Sequence, residues 1–202
     1  MKGSATDLPT PRRPPRSRLA SFGIHDNGLA RVVTGHVSLA YAARARWPRA
    51  ELVALVVATM LPDLADFVLP KGRECRTPCE MYTHAFPAVL VLTVAMAALA
   101  WGIWHRRVTA LLAGAMVLLH VVFDFATGFK SFWFGGPSEG FNLYRFQAVD
   151  FAIESAMMTL AWVILRRSPS APRWAVHPVT LGVLVTIQAA FDIWQYRMFG
   201  HR

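Results

Sequence analysis

Nineteen consecutive residues without a charge, FPAVLVLTVAMAALAWGIW at 86–104, constrain this chain more than any other feature. A helix needs about 20 predominantly apolar residues to cross the hydrocarbon of a bilayer. In that medium no water satisfies the backbone N–H and C=O groups, so the helix must satisfy them itself. A second run, VTALLAGAMVLLHVVFDFA at 108–126, follows after a short basic link, and 147–165 and 178–199 complete four clear spans. The segment LVALVVATMLPDLADFVL, 52–69, nearly spans, but Pro62 is expected to kink it. Residues 32–45 are too short to cross upright and suit a half-span or a tilted helix. The fold class expected is therefore all-α: an integral membrane helical bundle of four clear spans, a Pro-kinked segment and a short N-terminal helix.

Composition agrees. Only 16% of the 202 residues are charged and 54% are hydrophobic, where soluble domains carry roughly a quarter charged residues. Residues 1–30, rich in Pro, Arg and Ser, are expected to form a disordered basic tail, and 31–202 a single membrane-embedded domain. No internal repeat and no secretory signal peptide are visible. The net charge of +9 is concentrated in PRRPPRSRLA, WHRRV and LRRSPSAPR. Arginines beside spans set topology and hold lipid headgroups, which makes membrane lipids the expected partners. Nucleic-acid binding by the tail is the weaker alternative. Two cysteines, Cys75 and Cys79, are too few for a disulfide framework.

Acidic residues are scarce, yet six of the twelve lie inside or at the ends of apolar segments: Asp63, Asp66, Asp124, Asp150, Glu154 and Asp192. An ionisable group in a spanning helix costs roughly 2.5–3.5 kcal/mol on insertion scales, so it tends to face the protein interior and serve a function. His120 and Asp124, four residues apart, share one helix face. Counting spans brings the others to the same side of the membrane. Segment 52–69 ends with Asp63 and Asp66, and 86–104 begins just after His84. Segment 108–126 ends with His120 and Asp124, and 147–165 begins with Asp150 and Glu154. If the short first helix also crosses, His36 joins them.

Carboxylates and imidazoles converging in a partly dry site suit a divalent metal, Zn or Mn more than Mg. The metal would hold the buried carboxylates by positive charge and lower the pKa of a bound water to about 7. Two alternatives remain from the residues alone. A proton or ion pathway uses the same residue types, although a transporter would distribute them through the membrane depth. A local His–Asp pair would be purely structural.

Four motifs occur in order: TGHVSLA, LPDLAD, YTHAFP and LLHVVFDFATG. In their order and placement they resemble a family of bacterial inner-membrane metal-dependent hydrolases, some of them LexA-regulated. They are more remotely similar to zinc-dependent phospholipase C. The resemblance covers about residues 34–165. It implies His36, Asp63, Asp66, His84, His120 and Asp124 as metal ligands and a multi-pass protein of the bacterial inner (cytoplasmic) membrane. It also implies hydrolysis of a phosphoester or lipid substrate at the bilayer surface. Asp150 and Glu154 resemble a D-x-x-x-E that often follows, and either is a candidate general base. One stretch departs from the pattern. Where the family often has His-Arg-Gly before its Thr-His, this chain reads CEMYTH. Cys79 stands at the position of the His and is a candidate thiolate ligand, while Glu80 replaces the Arg.

The rival of another class is a non-catalytic membrane protein that uses the metal structurally or for sensing. The loop GFKSFWFGGPSEG, 128–140, beside the expected site reads as an interfacial loop, with a lid as the alternative. Positive-inside counting is divided. The links 44–49, 105–107 and 166–173 hold eight Arg away from the site, whereas the Arg-rich tail lies on the site's side if the first helix crosses.

Overall fold

The computed structural model of the protein describes residues 34–68, 82–128, 130–134, 136–141 and 146–199. The tail 1–30 and the candidate ligand Cys79 lie outside these. Among the described residues six α-helices follow one another: α1 (Thr34–Arg46), α2 (Leu52–Val68), α3 (Phe86–Trp104), α4 (Arg107–Thr127), α5 (Gln147–Arg166) and α6 (Pro178–Phe199). A single 3-10 turn, Tyr82–His84, precedes α3. Between α4 and α5 lies a two-residue antiparallel pair, β1 (Lys130–Ser131) with β2 (Ser138–Glu139).

Three helices, α3, α4 and α5, are long and apolar enough to cross a membrane. The fourth expected span does form a helix, but the apolar stretch described in α6, Pro178–Trp194, is shorter than a span. Helix α3 exposes Leu90, Val91, Val94, Leu99 and Ile103. That surface belongs against lipid tails, where there is no hydrophobic penalty for it. Helix α4 is the inner member: Ala110, Ala113, Met116, Val117, His120, Val121 and Asp124 are buried along one face.

The turns explain the register. Pro87 lies in the first turn of α3, where a missing N–H costs nothing. His105 ends α3 in the left-handed region at φ 50°, its N–H returning to the Trp101 carbonyl. The chain therefore reverses within two residues and α4 runs back along α3. Their close approach needs a small residue: a Cβ on Gly114 would stand 3.3 Å from the Thr93 carbonyl and 3.4 Å from Ala97 Cβ. Helix α4 also packs on α2, and α1 packs on both α2 and α5, which in turn holds α6.

The arginine-rich links share one face. Arg106 reaches the Arg49 carbonyl and the Glu51 carboxylate, and Arg44 donates to the Ser170 carbonyl at 2.8 Å. These bonds tie the α1–α2, α3–α4 and α5–α6 connections together. The opposite ends of α2 and α4, with the start of α3, close around the acidic and imidazole side chains.

Candidate metal centre

Pro62 lies inside a continuous α2 and has no N–H to offer the Ala58 carbonyl. The next carbonyl along, that of Thr59, faces His120 Nδ1 at 2.5 Å. A carbonyl only accepts, so Nδ1 carries the proton and, in the neutral ring, Nε2 is left as a lone pair. That lone pair points at other atoms able to ligate a metal. His84 Nε2 is 3.1 Å away, Asp124 Oδ2 3.6 Å and Asp63 Oδ1 3.9 Å. His84 Nε2 in turn stands 2.9 Å from Asp124 Oδ2 and 3.5 Å from Asp63 Oδ1.

Asp63, His84, His120 and Asp124 thus each present one ligating atom, all within 4.8 Å of one another, and the group can hold a metal ion. Bonds of about 2.0–2.1 Å in a tetrahedron set ligand atoms roughly 3.3 Å apart. The five separations above scatter around that spacing. Asp124 Oδ2 is buried, with His84 Nε2 at 2.9 Å and the Lys130 ammonium at 3.3 Å, and a buried carboxylate oxygen of this kind requires positive charge beside it. The donor set therefore fits a divalent cation, as the convergence read from the spans predicts.

Around the four stand residues that fix their orientation. Thr83 Oγ1 lies 3.1 Å from His84 Nδ1. His36 stacks on His120, ring centroids 3.8 Å apart. Its Nε2 lies 3.2 Å from the His120 carbonyl and 3.4 Å from Asp124 Oδ1. Donating to that carbonyl commits His36 Nε2 as a proton carrier, so this nitrogen braces Asp124 and stands outside the four-residue group. Asp66 is buried one turn beyond Asp63, also outside the group, with Oδ2 lacking a hydrogen-bond partner.

The 3-10 turn sets the protonation of His84. Burial and the nearby Lys130 ammonium push its pKa down, but the bonds to Asp124 and Asp63 outweigh them and hold it above the usual imidazole value. Without a metal, the two carboxylates thus favour the protonated form of His84.

Asp150 and Glu154 are buried on α5, outside the group of four, and Glu154 faces a different neighbour. Glu154 Oε2 lies 3.3 Å from Thr34 Oγ1 and accepts from the Gly35 N–H at 3.4 Å. Thr34 N–H donates to Gln188 Oε1 at 3.1 Å, and Gln188 Nε2 to Asp192 Oδ1 at 3.0 Å. A carboxylate and an amide thus meet the first N–H groups of α1, as the positive end of a helix favours. Because His36 lies in that first turn, Glu154 positions α1 and through it the brace on Asp124. Its second oxygen, Oε1, is buried without a hydrogen-bond partner.

Sequence reasoning missed Lys130. Buried at 5% exposure, its Nζ lies 3.3 Å from Asp124 Oδ2. The available signal was compositional: the chain holds three lysines against eighteen arginines, and this one follows Asp124 by six residues.

No family model, curated protein or solved structure matches this chain.

Proposed function

We propose that the protein is an integral membrane metal-dependent hydrolase whose site opens at headgroup level and acts on a phosphoester, on a lipid or at its surface. The observation that carries this reading is the set of four ligating atoms from Asp63, His84, His120 and Asp124 within 4.8 Å. It is supported by a His120 lone pair aimed at the other three ligating atoms. A mixed imidazole and carboxylate set suits Zn or Mn better than Mg. When bound, the metal supplies Lewis acidity and lowers the pKa of a water in the site.

The chain's own residues divide the remaining work. Thr59 and Thr83 fix the two ring orientations, and His36 holds Asp124. Glu154, with Oε1 unengaged, or Asp150 one turn earlier is the proton acceptor proposed for the attacking water. Localisation in a bacterial inner membrane, with α6 as a fourth crossing, belongs to the same proposal, as does kinship with the membrane hydrolase family that the four motifs resemble.

The second reading is a structural or sensing metal, favoured by burial: Asp63, His84, His120 and Asp124 are each at most 8% exposed, and a shell closed by protein leaves no position for substrate. Detergent-purified protein supplied with Zn or Mn and assayed on phosphodiesters and lipid phosphates separates the two. Metal-dependent turnover abolished by Asp124→Asn supports the hydrolase. Full metal occupancy with no turnover on any ester leaves the structural reading.

A further inference from the structure

The links opposite the metal centre gather arginine around one cavity. A hollow of about 440 Å³ opens between the α1–α2 and α3–α4 connections, lined by Pro48, Arg49, Arg106, Arg107 and Val108. The backbone around it is held by its own contacts. Arg44 donates to the Pro48 carbonyl and Arg106 to that of Arg49, while Glu51 N–H meets Thr109 Oγ1 at 3.3 Å. The two links are thus joined beside the cavity, whose shape is set by protein contacts alone.

Its charge is unbalanced. Glu51, just before α2, is the one acid among residues 44–51, 105–109 and 166–177, which hold eight Arg. Four of those have partners: Arg46 lies over the Trp47 ring, Arg166 over that of Trp162, Arg44 holds two carbonyls and Arg106 bonds Glu51. The guanidinium groups of Arg49, Arg107, Arg167 and Arg173 are exposed, with no ion pair or hydrogen bond among the described residues. Of these, Arg49 and Arg107 line the cavity with Arg106, so three like charges offset by one carboxylate share a space of molecular size. The end of α4 adds to them. Arg106 is its N-cap, extended and without a capping side-chain bond, and the first turn contains no acid. A helix N-terminus carries about half a positive charge and favours anions. Here it carries two arginines, the sign the dipole disfavours, and an anion in the cavity would be stabilised by helix and guanidinium groups together.

The depth points to the source of that anion. Trp47 lies in the first link and Trp101 one turn before the second, both exposed, and Val108 and Leu111 are exposed on α4. Indole rings gather at the bilayer interface, and Leu111 beyond them belongs among acyl chains. The cavity therefore lies at the level of lipid phosphates, with Val108 as an apolar wall.

We propose that this cavity binds the phosphate of an anionic phospholipid, held by the forked guanidinium groups of Arg49 and Arg107 at the start of α4, with Arg106 kept in place by Glu51. Arginine suits the task because its planar fork meets two phosphate oxygens at once. The headgroup must be net negative, since a zwitterionic one would bring its own cation into a cavity already positive. The site rests on the membrane-spanning helices and is independent of the metal centre at the other end of the bundle.

The test uses the full-length protein in neutral detergent at about 0.15 M salt, where exposed charges more than about 8 Å away are largely screened. Bound lipid is counted by native mass spectrometry with phosphatidylglycerol, phosphatidylcholine and inorganic phosphate as probes. Wild type is expected to bind phosphatidylglycerol at least about tenfold more tightly than phosphatidylcholine. Arg49→Gln with Arg107→Gln should lose about tenfold or more of that affinity, because two charge-assisted contacts go. Arg167→Gln with Arg173→Gln removes the same charge outside the cavity and should keep most of it. Arg107→Lys keeps the charge without the fork and should fall between wild type and the cavity double variant. Thermal midpoints without added lipid should match across the set, so that a folding defect is recognised. Phosphatidylglycerol bound no more tightly than phosphatidylcholine by wild type, or equal losses in the two double variants, overturns the site. Inorganic phosphate that displaces the lipid at equal concentration overturns the lipid as its occupant.

Discussion

At the scale of single residues, the site is a problem of protons and lone pairs. His120 has one nitrogen committed to a carbonyl and the other facing His84 Nε2 and the two carboxylates, which is the arrangement a metal ligand needs. Loss of an outer residue around a metal costs about 10–100-fold in affinity, and loss of a ligand should cost more. His120→Ala and Asp124→Ala should therefore weaken metal binding by more than about 100-fold, and His36→Gln by about 10–100-fold, measured by competition with a chelating dye. Equal losses in all three would make His36 a ligand. His84 adds a pH dependence. Its pKa is raised in the folded protein, so in the metal-free state its protonation stabilises the fold fully below the unfolded value of about 6.5. That contribution is lost as pH rises through the folded value. Metal must displace the same proton. Metal affinity should fall as pH drops through that range, and binding should release protons, detectable as calorimetric heats that scale with buffer ionisation enthalpy.

At the scale of elements, sequence and structure agree closely where a single period dominates. The apolar runs at 86–104, 108–126 and 147–165 became Phe86–Trp104, Arg107–Thr127 and Gln147–Arg166. Long uninterrupted runs leave the backbone no alternative to a helix in lipid. Legibility failed in the loop after α4. Nothing local to Lys130 distinguishes an inward lysine from a solvated one; its burial follows from Gly140, at φ 144°, and from backbone bonds to residues far along the chain. Nor did spacing alone separate His36 from the group of four converging side chains, since that distinction depends on which nitrogen meets the His120 carbonyl. Glu154 was legible as a buried acid but not as the partner of α1, because its contacts come from residues 34 and 35. Two substitutions test these element-level claims. Gly140→Ala should release the loop, at a cost of about 1–3 kcal/mol for the φ constraint alone. The thermal unfolding midpoint should fall and protease cleavage between 130 and 141 should rise. Gly114→Val should force α3 and α4 apart and lower the midpoint as well. It should leave metal stoichiometry unchanged, since the site lies two to three turns further along α4.

At the scale of the whole molecule, the account depends on sidedness. The arginine-bearing links are bonded to one another, and the ligands gather where α2 and α4 end and α3 begins. Single cysteines at His105 and Glu139 should therefore label from opposite sides of the membrane in intact vesicles. Labelling from one side would break the topology on which the convergence was read. The central claim is narrower and more directly measurable: two imidazoles and two carboxylates share one ion. X-ray absorption at the zinc edge, on protein loaded with one equivalent of zinc, reads this directly. The account predicts outer-shell scattering from two imidazoles in wild type, assigned to His84 and His120, and from one in His84→Ala. A wild-type spectrum without imidazole scattering, or one unchanged by the loss of His84, would contradict it.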